Sequence, residues 1–268
     1  MLLRLSAATF AIAALLALPC ASQAQQGRDV YRLPMPQAPQ MIGQEMGRAQ
    51  PGVAASSPVG FGPGKGDIFA GIGYQHSTGL DGDSDGAISV GGGFFNPRET
   101  VGLEVVLTSL STVRSGFGSR MVAGAKLHKA FAGQTGVGVG VEGIKVNGDE
   151  FDTDPSIFAA VTHVRTLRQA NTFNQLTANL GVGTGRFQAA SDFAAGESGV
   201  GIFISGALRL NWASALILDY TGAQLNTAFS FTPSRTIPFV ITPVLNDITG
   251  ESGKAGRFAL AAGMSWKY

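Results

Sequence analysis

From residue 67 to the carboxy terminus the chain repeats one pattern: short runs in which every second residue is bulky and apolar, with small or charged residues between. Successive side chains of a β-strand point to opposite faces, so each run makes one apolar face and one small or polar face. Residues 67–75 set Ile68, Ala70, Ile72 and Tyr74 against Phe69, Gly71 and Gly73. The runs at 87–95, 100–110, 120–130, 136–144, 174–183, 200–210 and 214–221 divide the same way. The run at 156–165 has no clear facing, and those at 225–231 and 239–248 are disturbed by Pro238 and Pro243, which donate no ladder hydrogen bond. The run at 258–268 is the most regular.

The charges decide which face is inside. Glu104, Lys126, Glu142, Arg209 and Asp219 all fall on the small-residue face of their own runs. A water-soluble sandwich would put charge outside and bulk inside. Here these five charges fall opposite the bulky face, and an Arg or Lys placed on a lipid-facing surface at mid-bilayer would cost about 2–4 kcal/mol. The pattern therefore predicts an inside-out fold: an all-β, antiparallel up-and-down transmembrane β-barrel of about 12 strands, residues 66–268, with those five charges lining its lumen. Twelve is an even number, as single-chain bacterial barrels require, and long connections near 77–86, 111–118, 145–155 and 185–199 alternate with short ones near 96–99, 131–135, 169–172 and 211–213. The alternation falters at a short link, 222–224. No apolar run of about 18 residues follows residue 24, so the chain has no candidate spanning helix there.

The last strand, FALAAGMSWKY, spaces Phe258, Leu260, Met264, Trp266 and Tyr268 on one face and stops on the aromatic. This resembles the carboxy-terminal signature of bacterial outer-membrane β-barrel proteins. The resemblance covers 11 residues, and it implies an outer-membrane location, lipid as the surrounding partner and recognition of these residues by the barrel-assembly machinery. It names no member of the class and says little of function.

Upstream, Arg4, the apolar stretch from Ala7 to Leu18 and Ser22-Gln23-Ala24 read as a signal peptide, residues 1–24, cleaved before Gln25. Cleavage would remove Cys20, the one cysteine, and with it disulfides, Cys-based zinc sites and a Cys nucleophile. Residues 25–65 hold Pro34, Pro36, Pro39, Pro51, Pro58 and Pro63 with no periodicity, and read as a flexible, disordered segment that links to the barrel or folds back into its lumen. A net charge of +1 without a basic stripe excludes a nucleic-acid partner.

Local motifs add little chemistry. Gly138, Gly140 and Gly143 satisfy a G-x-G-x-x-G spacing, but inside an alternating strand with no following helix to receive a pyrophosphate. Asp81, Asp83 and Asp85 with Gly86 match the opening of an EF-hand loop, yet the twelfth position is Gly92 rather than Glu, so the loop is at most a weak divalent-cation site, aided by the acidic 149–154 stretch. No cofactor is expected. Of the three histidines only His76 falls at an outer strand end, and nothing beside it completes a catalytic set, so no enzyme is expected. Three functions follow: a passive porin-like channel for small polar solutes or ions, suggested by the glycine-rich inner face; a non-conducting structural or surface-interaction barrel; and an outer-membrane hydrolase. The sequence leaves the oligomeric state open.

Overall fold

The structure is a computed structural model that describes residues 50–77, 84–131, 134–148, 155–167, 175–195, 197–251 and 256–268. Among these, twelve strands close into one barrel: β1 (Asp67–Gln75), β2 (Asp85–Phe94), β3 (Gly102–Leu110), β4 (Arg120–Phe131), β5 (Thr135–Asn147), β6 (Ser156–Thr166), β7 (Gln175–Gly183), β8 (Gly201–Arg209), β9 (Ser214–Tyr220), β10 (Leu225–Phe231), β11 (Phe239–Asn246) and β12 (Arg257–Lys267). Every strand pairs antiparallel with its sequence neighbours, and β1 pairs with β12, so no edge is left unpaired. Asp67 and Lys267 lie opposite each other at what we call the near end; the β1–β2 connection lies at the far end. A short 3-10 turn, Gly185–Phe187, and a one-turn helix, Ala190–Ala195, belong to the β7–β8 connection at the far end.

Period-2 alternation sets the faces, as the sequence requires. Ile72, Val90, Val105, Leu127, Val139, Leu180, Ile202 and Leu216 are exposed around the outside, while Gly71, Ser89, Thr108, Thr177 and Ser205 are buried within. The strand of unclear facing, β6, resolves with Ser156, Phe158, Ala160, Thr162 and Val164 inward and Ile157, Val161, His163 and Arg165 outward. It defied sequence reading because a bulky Phe and a Val lie on its inner face.

Two irregularities have identifiable causes. Ala123 faces Ile144 and Ala125 faces Val141, so Glu142 and Gly143 together oppose Gly124 in a β-bulge, with Gly143 at φ 75°. The extra residue reverses the alternation, leaving Glu142 inside and Ile144 outside. Pro243 sits in the interior of β11, where a proline is normally excluded from a paired strand. Its missing N–H coincides with a gap in the β10–β11 ladder, which runs Thr227–Leu245 and Ala228–Val244 and resumes at Phe231–Ile241. The β11–β12 side is unbroken, from Phe239–Met264 to Asn246–Arg257.

Candidate functional site

The lumen is the place where charge, burial and irregular backbone converge. Residues 50–65, the described part of the stretch expected to be disordered, run inside it. Gln50 meets Arg209 near the end of β8 (Nη1 to Oε1, 2.9 Å), and Gly52 N donates to Ser230 Oγ (2.7 Å). The segment rises to an apex at Ala55–Ser57, then returns along β5 and β6 to Pro63, Gly64 and the start of β1. We refer to it as the plug. Its Val53, Ala54, Val59 and Phe61 pack against inward Val164, Ala207, Ile217, Ala228, Val244 and Ala259. This apolar patch explains why a proline-rich segment orders: it covers inward side chains that would otherwise face water.

Asp219 holds the apex. Its Oδ2 accepts from the backbone N–H of Ala55 (2.7 Å), Ser56 (2.6 Å) and Ser57 (2.9 Å), and Ser57 Oγ donates to Oδ1. The carboxylate is fully buried, and these four donors take the place of water around it. Farther along, Asn179 Nδ2 donates to Pro58 O (3.0 Å) and Gly60 N donates to Thr162 Oγ1 (2.8 Å), while Thr162 Oγ1 donates to Asn179 Oδ1 (2.7 Å). His128 Nε2 lies 3.1 Å from Pro63 O. Thr162, Asn179, Ser205, Asp219 and Asn226 are register partners across β6 to β10, so they form one continuous polar belt along the inner wall.

A second element enters from the far end. The 3-10 turn places Arg186 and Phe187 in the lumen, both buried. Arg186 pairs through Nε with Glu142, donates from Nη2 to Ser56 O (2.8 Å), and is fixed by its backbone N–H on Ser156 Oγ (2.9 Å). Phe187 stacks at 4.7 Å on Phe203 and at 6.0 Å edge-on to Phe158, and the Arg186 guanidinium lies 4.3 Å from the Phe187 ring centre. Plug and turn meet at the Arg186–Ser56 contact.

The glycine-rich inner face had pointed to an open lumen; among the described residues it is instead the floor on which rings and backbone rest. A Cβ on Gly140 would lie 2.7 Å from the Phe158 ring and one on Gly136 would lie 2.7 Å from Phe61; on the plug side, one on Gly62 would lie 2.7 Å from His128 and 2.8 Å from Glu104. Missing side chains on one wall are space for bulky groups on another. Composition shows the space but not its occupant.

Glu104, Lys126, Glu142, Arg209 and Asp219 lie on the inner face of their strands. Glu104 and Lys126, opposed in the β3–β4 register, form an ion pair at 2.6 Å with side chains only 12% exposed. Glu142 pairs with Arg186. Arg209 reaches Gln50 and the carbonyl of Trp212 (3.2 Å), and Asp219 holds the plug. Sequence reasoning missed Arg186, Phe187, Asn179 and Thr162. The signal for the last two was present, polar residues at register-matched inner positions, but that register is visible only once the strands pair.

Removing one member of the first pair should be costly. Lys126→Met leaves the Glu104 carboxylate buried without its cation, an arrangement that costs about 3–5 kcal/mol. The expected result is a large drop in the denaturant midpoint of the folded barrel, largely recovered when Glu104→Gln is added. Unchanged stability of the single variant would show that water already solvates this pair.

Of the proposed cation loop, Asp81, Asp83 and the 149–154 stretch lie outside the described residues. Asp85 is the first residue of β2, buried and inward, with Oδ1 accepting from Gly86 N at 2.7 Å. His76 is exposed at the far end of β1, where its backbone N–H donates to Phe258 O (3.0 Å). Phe258, Leu260, Met264, Trp266 and Tyr268 are all exposed on the outward face of β12 and its end.

The site defines a class: a closed twelve-stranded barrel whose lumen is occupied by its own chain. No protein-family model matches the sequence, and no curated protein matches it. A solved structure that resembles it is an outer membrane channel from Pseudomonas putida F1, 11% identical, covering 79% of this chain and 97% of that chain with a TM-score of 0.43.

Proposed function

We propose that this protein is an outer-membrane barrel whose channel is shut at rest by residues 50–65, rather than a constitutively open porin. The observation that carries the reading is the clasp of Asp219 on three backbone N–H groups and the Ser57 hydroxyl. The encircling band of exposed Ile, Val, Leu and Phe supports a lipid surrounding, because water-soluble monomers rarely expose contiguous apolar patches beyond a few hundred Å2. The near end, where the chain enters β1, then faces the periplasm and the far end faces outward, and the exposed aromatic face of β12 serves in assembly. A polar lumen lined by Glu104, Lys126, Glu142, Arg186, Arg209 and Asp219 suits small polar solutes or ions once the plug moves. No catalytic step belongs to this reading.

Planar-bilayer recording of the refolded full-length protein is the test. The expected trace is silent apart from rare, brief openings. Steady conductance steps from each inserted barrel would sink the shut-at-rest reading, and the passive porin would return.

A further inference from the structure

The inner wall makes most of its polar contacts with the plug's main chain, while the apolar side chains of Val53, Val59 and Phe61 pack on the patch described above. Gly52 N, Ala55 N, Ser56 N, Ser57 N and Gly60 N donate to Ser230, Asp219 and Thr162, while Ser56 O, Pro58 O and Pro63 O lie on Arg186, Asn179 and His128. Plug side chains also reach the wall, Ser57 Oγ to Asp219 and Gln50 to Arg209. From Ser56 onward donors and acceptors alternate along the plug, and the wall supplies the matching groups in order: carboxylate, guanidinium, carboxylate again, amide, hydroxyl and imidazole. Where the plug backbone comes closest, both sides are glycine. A Cβ on Gly136 would lie 2.8 Å from Gly60 O, and one on Gly93 would fall against Gly64 O.

These contacts read peptide groups. We propose that the lumen wall formed by Thr162, Asn179, Asp219, Ser230 and Arg186 is a binding track for a peptide main chain that turns at Asp219, and that residues 52–63 occupy it as a ligand in cis. The ligand it would take in trans is an unstructured polypeptide segment of Gly, Ala, Ser and Pro with a few apolar anchors, the residue types the plug itself presents, Val53, Val59 and Phe61 among them. Such a segment matches the track because its main chain supplies most of the polar groups the wall contacts, a serine hydroxyl supplies the donor to Asp219 Oδ1, and its apolar side chains fill the patch of Val164, Ile217 and Val244, with glycine where the backbone passes over Gly93 and Gly136. Two polar atoms further along the wall have no partner among the described residues: Ser205 Oγ, within the belt between Asn179 and Asp219, and Asn226 Nδ2 beside Asp219. Both residues are about 1% exposed, so the belt carries binding capacity that the plug does not use.

The proposal rests on the reading that the plug can leave the lumen, and the test separates the two. The full-length chain carrying Gly60→Val and Gly62→Val keeps every wall residue but places side chains where Gly136, His128 and Glu104 leave no room. Its own plug is expected to be displaced, read as new cleavage within residues 50–65 by added protease and as conductance in bilayers. A fluorescent synthetic peptide of residues 50–65 should then bind this variant saturably, at least tenfold more tightly than the same peptide carrying both valines. Adding Asp219→Ala to the wall should abolish that binding. Failure of the wild-type peptide to bind a variant whose plug is released overturns the track, as does equal binding of the valine peptide, or a plug that stays protease-protected despite both valines. A variant that binds peptide yet never conducts keeps the track and removes the channel reading.

Discussion

Replacing Asp219 with alanine is expected to turn a silent barrel into a conducting one. The side chain points into the lumen from β9, and its strand is held by ladders to Ser205 on one side and Asn226 on the other, so the barrel itself survives the change. The plug loses the acceptor of three backbone N–H groups and one hydroxyl. A buried donor left without a partner costs about 1–3 kcal/mol. The four losses do not add in full, because water entering the loosened lumen rehydrates some of them. Even about 3 kcal/mol shifts the equilibrium between docked and released plug by roughly a hundredfold. The expected record is discrete conductance steps where the parent protein is silent, accompanied by protease cleavage within residues 50–65. Asp219→Asn should fall between the two, since its amide oxygen still accepts while its NH2 opposes the incoming donors. A silent, protease-protected Asp219→Ala protein would show that the apolar contacts of Val53, Val59 and Phe61 suffice to hold the plug.

The barrel was legible in the sequence because its physical constraint repeats. Each strand had to satisfy lipid on one side and the lumen on the other, and charge on the small face of five separate runs left few alternatives. Where bulk lies on the inner face, at Phe158 and Val164 of β6, that logic gave no facing. The plug was only half legible. Segment 50–65 is held mainly through its main chain, and backbone contacts leave no periodic side-chain signature; what they leave is small residues and prolines, the same composition as a free linker. The glycines of the wall misled for a related reason. They mark space, and the phenyl rings that fill it come from elsewhere: Phe203 from the neighbouring strand β8 and Phe187 from a far-end turn with no pattern at all. Arg186 sits in that turn too, and its contacts with Glu142 and Ser56 identify it as part of the lumen.

The space beneath those rings is the basis of the second large effect. Gly181→Val is expected to prevent the barrel from reaching its native packing. A Cβ at this position would fall inside the Phe203 ring and 2.6 Å from the backbone carbonyl of Ala159 on β6. The ring has nowhere to go: Phe203 is fully buried, Phe187 stacks on it, and Phe158 and the Arg186 guanidinium close on Phe187 from other sides. Overpacking of a filled interior costs about 1–3 kcal/mol where side chains can shift, and here one of the two obstacles is main chain, so the upper end or beyond applies. Phe203→Ala alone should cost about 3–5 kcal/mol by emptying the same place. The double variant is the decisive measurement, because each change then relieves the other: the introduced isopropyl group enters the void left by the ring, and the pair should be more stable than the sum of its parts by about 1–3 kcal/mol. Denaturant unfolding of the four proteins, followed by tryptophan fluorescence, reads that coupling directly. If the two losses simply add, the ring does not rest on Gly181, and the glycines of the lumen are not seats for the phenylalanines.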